Sequence, residues 1–355
     1  MNAGPATMAE ISFLLPVYNG ERYLAETVRS LLDQDYDDFD VVIVNDGSTD
    51  RSLEVIERFA SDRITVLNKP NGGLVEALNF GLSHLDCEYV ARIDADDVCY
   101  PHRLKSQMGF LEFTSAAAVS ARSLHIDAVG NILSVSGSHE IFTADATALP
   151  AKEPYLPHPF MFARRDVFEE IGGYRHAHLA EDADISWRLS EQYQIAVHGE
   201  VMGKYRLHTD SISARSLRHG RVQALYSQIA ALNSLRREAG REEIPYETSL
   251  GRALSIGNDW DRLFDIHDRI LDERERLHLR LAAHLKLLHL ARFRSYQPVQ
   301  DDIERTHQAL LSYHSVPIEA QEQARALIDE ATSWLTPAKP ERKSALNRFW
   351  PWRAR

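Results

Sequence analysis

An acidic cluster directly after an apolar run is the first candidate for chemistry. Asp94-Ala95-Asp96-Asp97 follows residues 89–93, whose composition predicts a buried strand. Carboxylates one residue apart at a strand end can converge on one hard divalent cation, which prefers oxygen ligands. Such a cation can also bind diphosphate oxygens and neutralise a leaving nucleoside diphosphate. Because the same spacing is common in solvated acidic loops, the pattern is informative only together with its surroundings.

Two further polar segments contain candidate binding or catalytic groups. Residues 45–50 follow a second apolar run, and an aspartate there can accept a hydrogen bond from a base N–H or a ribose hydroxyl. Glu181-Asp182 precedes a helical pattern, and a carboxylate held in a cleft can take the proton of an attacking hydroxyl. Each segment also has a structural interpretation. The first is typical of a turn with an N-capping side chain, and the second of a helix N-terminus.

The elements that would position these residues alternate between strand and helix patterns. Short apolar runs predict strands, and apolar residues at helical spacing predict helices between them. The predicted strands are 11–15, 41–44, 64–67 and 89–93, and the predicted helices are 24–32, 53–59 and 74–85. This order predicts a Rossmann-like α/β domain, with a mainly parallel sheet and helices on both faces. Such sheets bind ligands beyond the carboxyl ends of their strands, where the polar segments lie.

The second half of the chain becomes progressively more helical. A strand is expected at 116–121, and helices at 165–171, ended by Gly172-Gly173, and at 184–192. From about residue 215, Leu, Ala and charged residues predict several helices separated by prolines. We therefore expect three regions, listed in chain order: a catalytic domain over 1–214, a helical region over 215–337, and a basic aromatic tail over 338–355.

Composition limits the class of protein and its partners. A net charge of −12 over 355 residues argues against a duplex nucleic-acid binder, which usually has a basic face. The two cysteines, Cys87 and Cys99, provide neither a disulfide framework nor a zinc spacing, and fit a reducing compartment. No signal peptide is recognisable, and no apolar run approaches the roughly 18–20 residues of a membrane span. We therefore expect a cytoplasmic protein.

The tail reverses the acidic character of the chain. Residues 338–355 contain six Lys and Arg residues, two Trp and one Phe against a single acid, Glu341. Basic residues favour an anionic lipid surface, and Trp favours the membrane interface. The tail therefore predicts peripheral contact with the inner face of the cytoplasmic membrane. The alternative is a solvated tail without a partner, which Pro340 and Pro351 favour.

Together, the motifs resemble the inverting glycosyltransferases of family 2, as found in bacterial surface-polysaccharide assembly. The matching segments, in the order of the family, are Pro16-Val17-Tyr18-Asn19-Gly20-Glu21, Val44-Asn45-Asp46-Gly47-Ser48-Thr49-Asp50, Asn71-Gly72-Gly73, Ala91-Arg92-Ile93-Asp94-Ala95-Asp96-Asp97, Ile171-Gly172-Gly173-Tyr174, Glu181-Asp182 and Tyr205-Arg206-Leu207-His208. The resemblance covers about residues 11–213. It implies a GT-A catalytic domain and leaves the C-terminal helical region unexplained.

The resemblance also implies roles for individual residues. By this resemblance, the residues expected to contact a nucleotide-sugar donor, most simply a UDP-sugar, are Pro16, Tyr18, Glu21, Asp46, Asn71, Arg92, Asp94 and Ala95. The expected ligands of Mn²⁺ or Mg²⁺ are Asp96, Asp94 and His208. Asp182 is the expected base, with Glu181 as the alternative. His158 is either part of the acceptor site or a loop histidine without a role.

Two departures from the family refine the expected activity. The chain has no Gln-x-x-Arg-Trp after Asp182, which processive synthases of the family have, so we expect a non-processive enzyme. Glu76 lies where relatives often have a basic or small residue, which makes the diphosphate side more dependent on a metal. The expected acceptor is a saccharide or a lipid-linked saccharide of capsule, lipopolysaccharide or exopolysaccharide assembly.

Three alternative functions fit the sequence less well. A nucleotidyltransferase would need a glycine-rich, basic phosphate loop, and residues 16–21 do not form one. A dinucleotide dehydrogenase would need G-x-G-x-x-G, which is missing. A catalytically weak or dead scaffold that binds partners through its helices is the remaining alternative, and the intact Asp94, Asp96 and Asp182 argue against it.

Overall fold

A nine-stranded mixed sheet forms the centre of the molecule. The structure, a computed structural model, describes residues 9–136, 144–154, 156–208, 219–246, 259–292, 298–313 and 316–335. Its strands are β1 (Ile11–Val17), β2 (Phe39–Asp46), β3 (Ile64–Lys69), β4 (Tyr89–Arg92), β5 (Val98–Cys99), β6 (Ala118–Ile126), β7 (Ile132–Val135), β8 (Phe162–Arg164) and β9 (Ile195–Arg206). They lie in the order β3-β2-β1-β4-β8-β6-β9-β5, and β7 pairs with the edge of β6.

The first four strands are parallel, as their alternation with helices predicts. β8 lies antiparallel to both β4 and β6, and β6 runs parallel to β9. Because parallel neighbours end at the same edge, the segments after β1, β2 and β4 emerge side by side. This edge is the one that the polar segments were predicted to share.

Helices cover both faces of the sheet. They are α1 (Leu24–Leu32), α2 (Ser52–Glu57), α3 (Leu74–Leu82), α4 (Arg103–Thr114), α5 (Arg165–Glu170) and α6 (Glu181–Gln192). Alternate residues of β1 serve two separate cores: Phe13 packs with the residues of α1, α2 and α4, and Leu14 with those of α3, α5 and α6. Because both faces of β1 are buried, its sequence is a continuous apolar run without the alternation of a half-exposed strand.

Most predicted elements of the catalytic region are confirmed, with shifted ends. The helix predicted at 74–85 ends at Leu82, and the one predicted at 184–192 begins at Glu181, so that both acidic residues lie in its first turn. Sequence patterns missed α4, β5, β7, β8 and β9. In α4 the fully buried Arg103 and Gln107 interrupt the apolar stripe, because both bind main-chain carbonyls inside the protein.

The C-terminal helices pack directly against α6 of the sheet-containing region. The described ones are α7 (Gly220–Glu238), α8 (Trp260–Asp265), α9 (Glu273–Arg292), α10 (Gln300–Ser312) and α11 (Ile318–Leu335). α7 lies between α6 and α9, and Leu225 and Ile229 of α7 share a core with Leu279 and Leu287 of α9. Among the described helices, none has the length and apolar character that a membrane span requires. The predicted tail, 338–355, lies outside the described residues.

Candidate functional site

The loops after β1 and β2 are joined by hydrogen bonds at the carboxyl edge of the sheet. The main-chain N–H of Asn19 donates to Ser48 Oγ (3.1 Å), and the N–H of Thr49 donates to Asn19 Oδ1 (2.7 Å). Asn19 has a φ of 53°, which asparagine tolerates better than most residues. On the other side of the loop, a side chain at Gly20 would meet the Cβ of Ala95. The loops are therefore held together next to the acidic cluster.

Asp46 ends β2 and is almost completely buried, at 2% exposure. Its carboxylate accepts from Lys69 Nζ (2.6 Å), from the main-chain N–H groups of Gly72 (2.9 Å) and Gly73 (2.8 Å), and from Asn71 Nδ2 (3.2 Å). The predicted donor contact Asp46 is thus already saturated by groups of its own chain. Its carboxylate fixes the loop between β3 and α3, and Asn71 is part of that arrangement.

The remaining residues predicted for the nucleoside pocket differ in exposure. Tyr18 is 46% exposed on the rim of the site. Glu21 is half-exposed and accepts hydrogen bonds from the main chain and the guanidinium of Arg51. Pro16 is buried within β1 opposite Val44, so it shapes the strand and offers little surface to a ligand.

Arg92 and Asp94 form a two-pronged ion pair at the end of β4. Both terminal nitrogens of the buried Arg92 donate to Asp94, and Nη1 does so at 2.7 Å. Burial raises the pKa of Asp94, Arg92 lowers it, and the net shift is upward. Both oxygens of Asp94 are therefore engaged by the protein. The Nε of Arg92 is buried and has no partner in the described part of the chain.

Asp96 and His208 meet across the sheet edge. Nε2 of His208 lies 2.7 Å from Oδ2 of Asp96, although 112 positions separate them in the chain. The neighbouring Asp97 is completely buried and accepts from the main-chain N–H of Arg206 (2.9 Å). The Arg206 side chain donates to the carbonyl of Asp96 (2.8 Å) and pairs with Glu26. The end of β9 is thus fixed against the acidic cluster, and His208 follows directly from it.

This pair suits a divalent cation that is shared with a substrate. Within the described residues, no group of three or more His, Cys, Asp and Glu side chains is arranged to hold a metal by itself. Mg²⁺ typically takes one or two carboxylates and completes its shell with water and substrate phosphates. Asp96 and His208 provide two adjacent ligand atoms, and Oδ2 of the buried Asp97 has no partner in the described structure. The donor set therefore fits a diphosphate-bound cation, with Asp94 as a neighbour occupied by Arg92.

The two carboxylates at the start of α6 have different surroundings. Glu181 is half-buried, and burial, followed by the charge of Asp182, raises its pKa to about 8. It interacts electrostatically with Arg92 and Asp94. Asp182 keeps part of its surface in solvent while its carboxyl is desolvated, and this burial, followed by the charge of Glu153, raises the pKa of Asp182. At neutral pH Glu181 is mostly protonated, so Asp182 is the better placed of the two to accept a proton.

A histidine and a tyrosine form a buried pair behind Arg92. Nε2 of His158 lies 2.8 Å from the hydroxyl of Tyr174. Burial and the nearby Arg92 lower the pKa of His158 well below its usual value, so this histidine is neutral. Asn79 binds both the N–H and the C=O of Tyr174 and fixes it there. His158 is therefore a buried, neutral partner of Tyr174.

The chain is similar to known proteins. The family described as "Glycosyl transferase family 2" matches residues 12–172. The putative glycosyltransferase EpsE of Bacillus subtilis is 32% identical over 228 residues, which are 61% of this chain and 78% of that protein. The chain belongs to glycosyltransferase family 2. An uncharacterized glycosyltransferase of Rickettsia felis is 26% identical over 59% of this chain but only 36% of its own length.

Solved structures support the fold of this glycosyltransferase. Staphylococcus aureus TarS 1–349 in complex with UDP-GlcNAc has a TM-score of 0.54 at 19% identity, and the match covers 86% of this chain and 91% of that chain. Pyrobaculum calidifontis PcManGT, a mannosyltransferase in complex with GDP-Man and Mn²⁺, has a TM-score of 0.52 at 17% identity, over 93% and 84% of the two chains. The predicted GT-A fold with C-terminal helices is thereby confirmed.

Sequence reasoning did not assign several residues that organise the site. Lys69 neutralises Asp46, Arg206 fixes the acidic cluster, and Tyr174 partners His158. Each lies in or beside a motif that was recognised, so proximity to the motifs was the available signal. Their roles depend on partners 16 to 110 positions away, which no local pattern encodes.

Proposed function

We propose that this glycosyltransferase transfers a single sugar from a nucleotide-sugar to an acceptor hydroxyl, with inversion and with the aid of Mn²⁺ or Mg²⁺. One observation supports this most directly. The Asp96–His208 pair and the Arg92–Asp94 ion pair lie at one sheet edge, and Glu181, next to Asp182, interacts with Arg92 and Asp94. This arrangement supports the proposal that Asp96 and His208 act on the leaving diphosphate and Asp182 on the acceptor hydroxyl.

The residues of the chain have distinct proposed tasks. Asp96 and His208 hold the cation, which when bound neutralises charge on the leaving nucleoside diphosphate. Arg92 holds Asp94 in place through both of its terminal nitrogens. The exposed Asp182 takes the proton of the acceptor hydroxyl as that oxygen attacks the anomeric carbon. A base acting on the face opposite the leaving group produces inversion in one displacement.

The donor is proposed to be a UDP-sugar. The TarS neighbour binds UDP-GlcNAc, but the PcManGT neighbour binds GDP-Man. We propose that the nucleobase of the donor binds on the loop between β3 and α3, which Asp46 fixes, with Tyr18 at the rim of this surface. From the family resemblance we propose a saccharide or lipid-linked acceptor in surface-polysaccharide assembly. The proposed domain division is a catalytic domain over 1–214 and a helical region over 215–337.

A donor screen tests the first part of this proposal. Thermal shift with a panel of UDP- and GDP-sugars, with and without Mn²⁺, should reveal stabilisation by one nucleotide that is enhanced by the metal. Donor hydrolysis or transfer should then require the metal, and Asp96→Ala should lose nearly all activity while remaining folded. Full activity in excess chelator would contradict the metal assignment. Metal-dependent donor binding without any turnover would instead favour the scaffold alternative.

Variants at the start of α6 test the second part. Asp182→Asn keeps the size of the side chain and removes its basicity, so transfer should fall by about 10²–10⁴-fold, the range of general-base catalysis. Donor affinity should change little, because the amide still fits the site. The product, examined by NMR, should have the inverted anomeric configuration. A product with retained configuration is incompatible with a single displacement.

A further inference from the structure

A polar cavity lies between α9 and α10, and none of its lining residues belongs to the site at the sheet edge. Its volume is about 470 Å³, within the range of about 300–1,000 Å³ that small-molecule sites have. Polar side chains at helical spacing line it from both helices: Arg276, Arg280 and His284 on α9, and Arg305, Gln308 and Ser312 on α10. Asp268, in the segment between α8 and α9, also lines it. The cavity therefore has the size and the polar walls of a binding site.

His284 is the most deeply buried polar residue of the cavity wall, at 5% exposure. Its ring packs against two aromatic rings, with centroids 4.4 Å from Trp260 and 5.7 Å from Phe264. Its Nδ1 is buried and has no hydrogen-bond partner among the described residues. Burial, followed by the charge of Arg305, lowers the pKa of His284 to about 3, so the imidazole is neutral at physiological pH. The cavity wall thus contains a neutral hydrogen-bonding group that the fold does not use.

Asp268 provides the cavity with an unused acceptor. Its Oδ2 accepts from Arg280 Nη2 (2.6 Å), and its main-chain carbonyl accepts from Arg276 Nη1 (3.1 Å). Its Oδ1 is buried and has no partner in the part of the chain that the structure describes. Each of the two guanidinium groups uses one nitrogen in these contacts and has further N–H donors. An unpaired acceptor and spare donors therefore occur side by side.

The charges of the cavity wall are largely balanced within the protein. Arg305 pairs with Asp261 and Asp301, and Arg280 pairs with Asp268. A fully ionised anion accepts hydrogen bonds but donates none, so it would leave Oδ1 of Asp268 unpaired and be repelled by it. A hydroxyl group both donates and accepts, so neighbouring hydroxyls satisfy Asp268 and the guanidinium groups together. The wall is therefore complementary to a neutral ligand with several hydroxyl groups.

We propose that this cavity binds a neutral saccharide, through which the C-terminal helices hold part of the acceptor separately from the catalytic site. This inference rests on the proposed function, in which the acceptor is a saccharide. One hydroxyl donates to Oδ1 of Asp268, and its neighbours accept from Arg276 and Arg280. A further hydroxyl pairs with the imidazole of His284. On the α10 side the amide of Gln308, which can donate and accept, completes the set.

Direct binding to the full-length protein tests this assignment. The probes are neutral tetrasaccharides of glucose, of galactose and of N-acetylglucosamine, with inorganic phosphate as the anionic comparison. Binding is measured by ligand-observed NMR titration without donor or metal, so the result does not depend on turnover. We expect at least one tetrasaccharide to bind and to bind more tightly than phosphate does.

Variants of the cavity wall locate the binding. Arg276→Ala should raise the Kd at least about tenfold, and Gln308→Ala about threefold or more, as expected for hydrogen bonds from a charged and from a neutral group. Arg274→Ala on α9 and Gln323→Ala on α11 are the matched controls, because both side chains are exposed and neither lines the cavity. Both controls should bind like the unmodified protein. Thermal melts establish folding, and the exposed position of Gln308 keeps one cavity variant available if Arg276→Ala does not fold.

The outcomes separate this inference from the function on which it rests. Weaker binding in the cavity variants together with unchanged binding in the controls supports it. Three results would overturn it: no tetrasaccharide binds, all variants bind equally, or phosphate binds more tightly than every saccharide. The second of these would place the saccharide elsewhere, and the third would make the cavity an anion site. Saccharide binding at the cavity by a protein that never transfers a sugar contradicts the proposed function and supports the binding site.

Discussion

Replacing Asp46 by asparagine should destabilise the protein more than it alters any direct ligand contact. The carboxylate accepts from Lys69, Asn71, Gly72 and Gly73. An amide has one acceptor oxygen and turns the other position into a donor, so at least one charge-assisted bond is lost, at about 1.5–3 kcal/mol, and a donor is left unpaired, at about 1–3 kcal/mol. Since Lys69 is partly solvated, we expect a total of about 3 kcal/mol.

This free energy corresponds to a measurable thermal shift. At about 2.1 cal/mol/K per residue, 355 residues have an unfolding entropy of about 0.75 kcal/mol/K, so 3 kcal/mol lowers Tm by about 4 °C. Asp62→Asn, on the exposed turn before β3, is the control and should leave Tm within a degree.

Calorimetry of both variants, with and without the nucleotide, distinguishes the two roles of Asp46. We expect the lower Tm in the absence of nucleotide and a weaker nucleotide response as its consequence. An Asp46→Asn protein with unchanged Tm and strongly reduced nucleotide affinity would refute the reasoning. Such a result would mean that the carboxylate turns from its chain donors to the ligand.

Three further outcomes are expected. His208→Ala should raise the Mn²⁺ concentration for half-maximal activity by about tenfold or more, measured by metal titration, because the cation loses one of its two protein ligands. The pKa of Glu181 is raised to about 8, so the folded protein holds a proton that the unfolded chain releases above about pH 4.3. Stability from this group is therefore present at acid pH and lost as pH rises through 8, and Glu181→Gln should flatten that part of the decline in Tm. Full-length protein should sediment with anionic vesicles and a chain ending at Pro337 should not; equal sedimentation of both forms would contradict the membrane prediction for 338–355.

The local pattern was sufficient for the strands and helices whose environment is simple. β1, β2 and β4 are almost completely buried, so their apolar runs are unambiguous, and α1 has one apolar stripe. β9 was missed because its residues are mostly half-buried and include charged side chains such as Lys204 and Arg206. Arg206 contacts the acidic cluster, which lies in another segment of the chain, so its own segment does not explain why a charged residue occurs there.

The sequence by itself determined the family, the α/β order and the position of the acidic cluster, because these depend on neighbours a few residues apart. Only the tertiary structure decided which oxygens are available. It engages Asp94 with Arg92, saturates Asp46, and brings His208 to Asp96 across 112 positions. It also places Lys286 on Glu153 across 133 positions. Hydrogen bonds and charges act over a few ångströms in space, whatever their separation along the chain, so such pairs become visible only once the chain has folded.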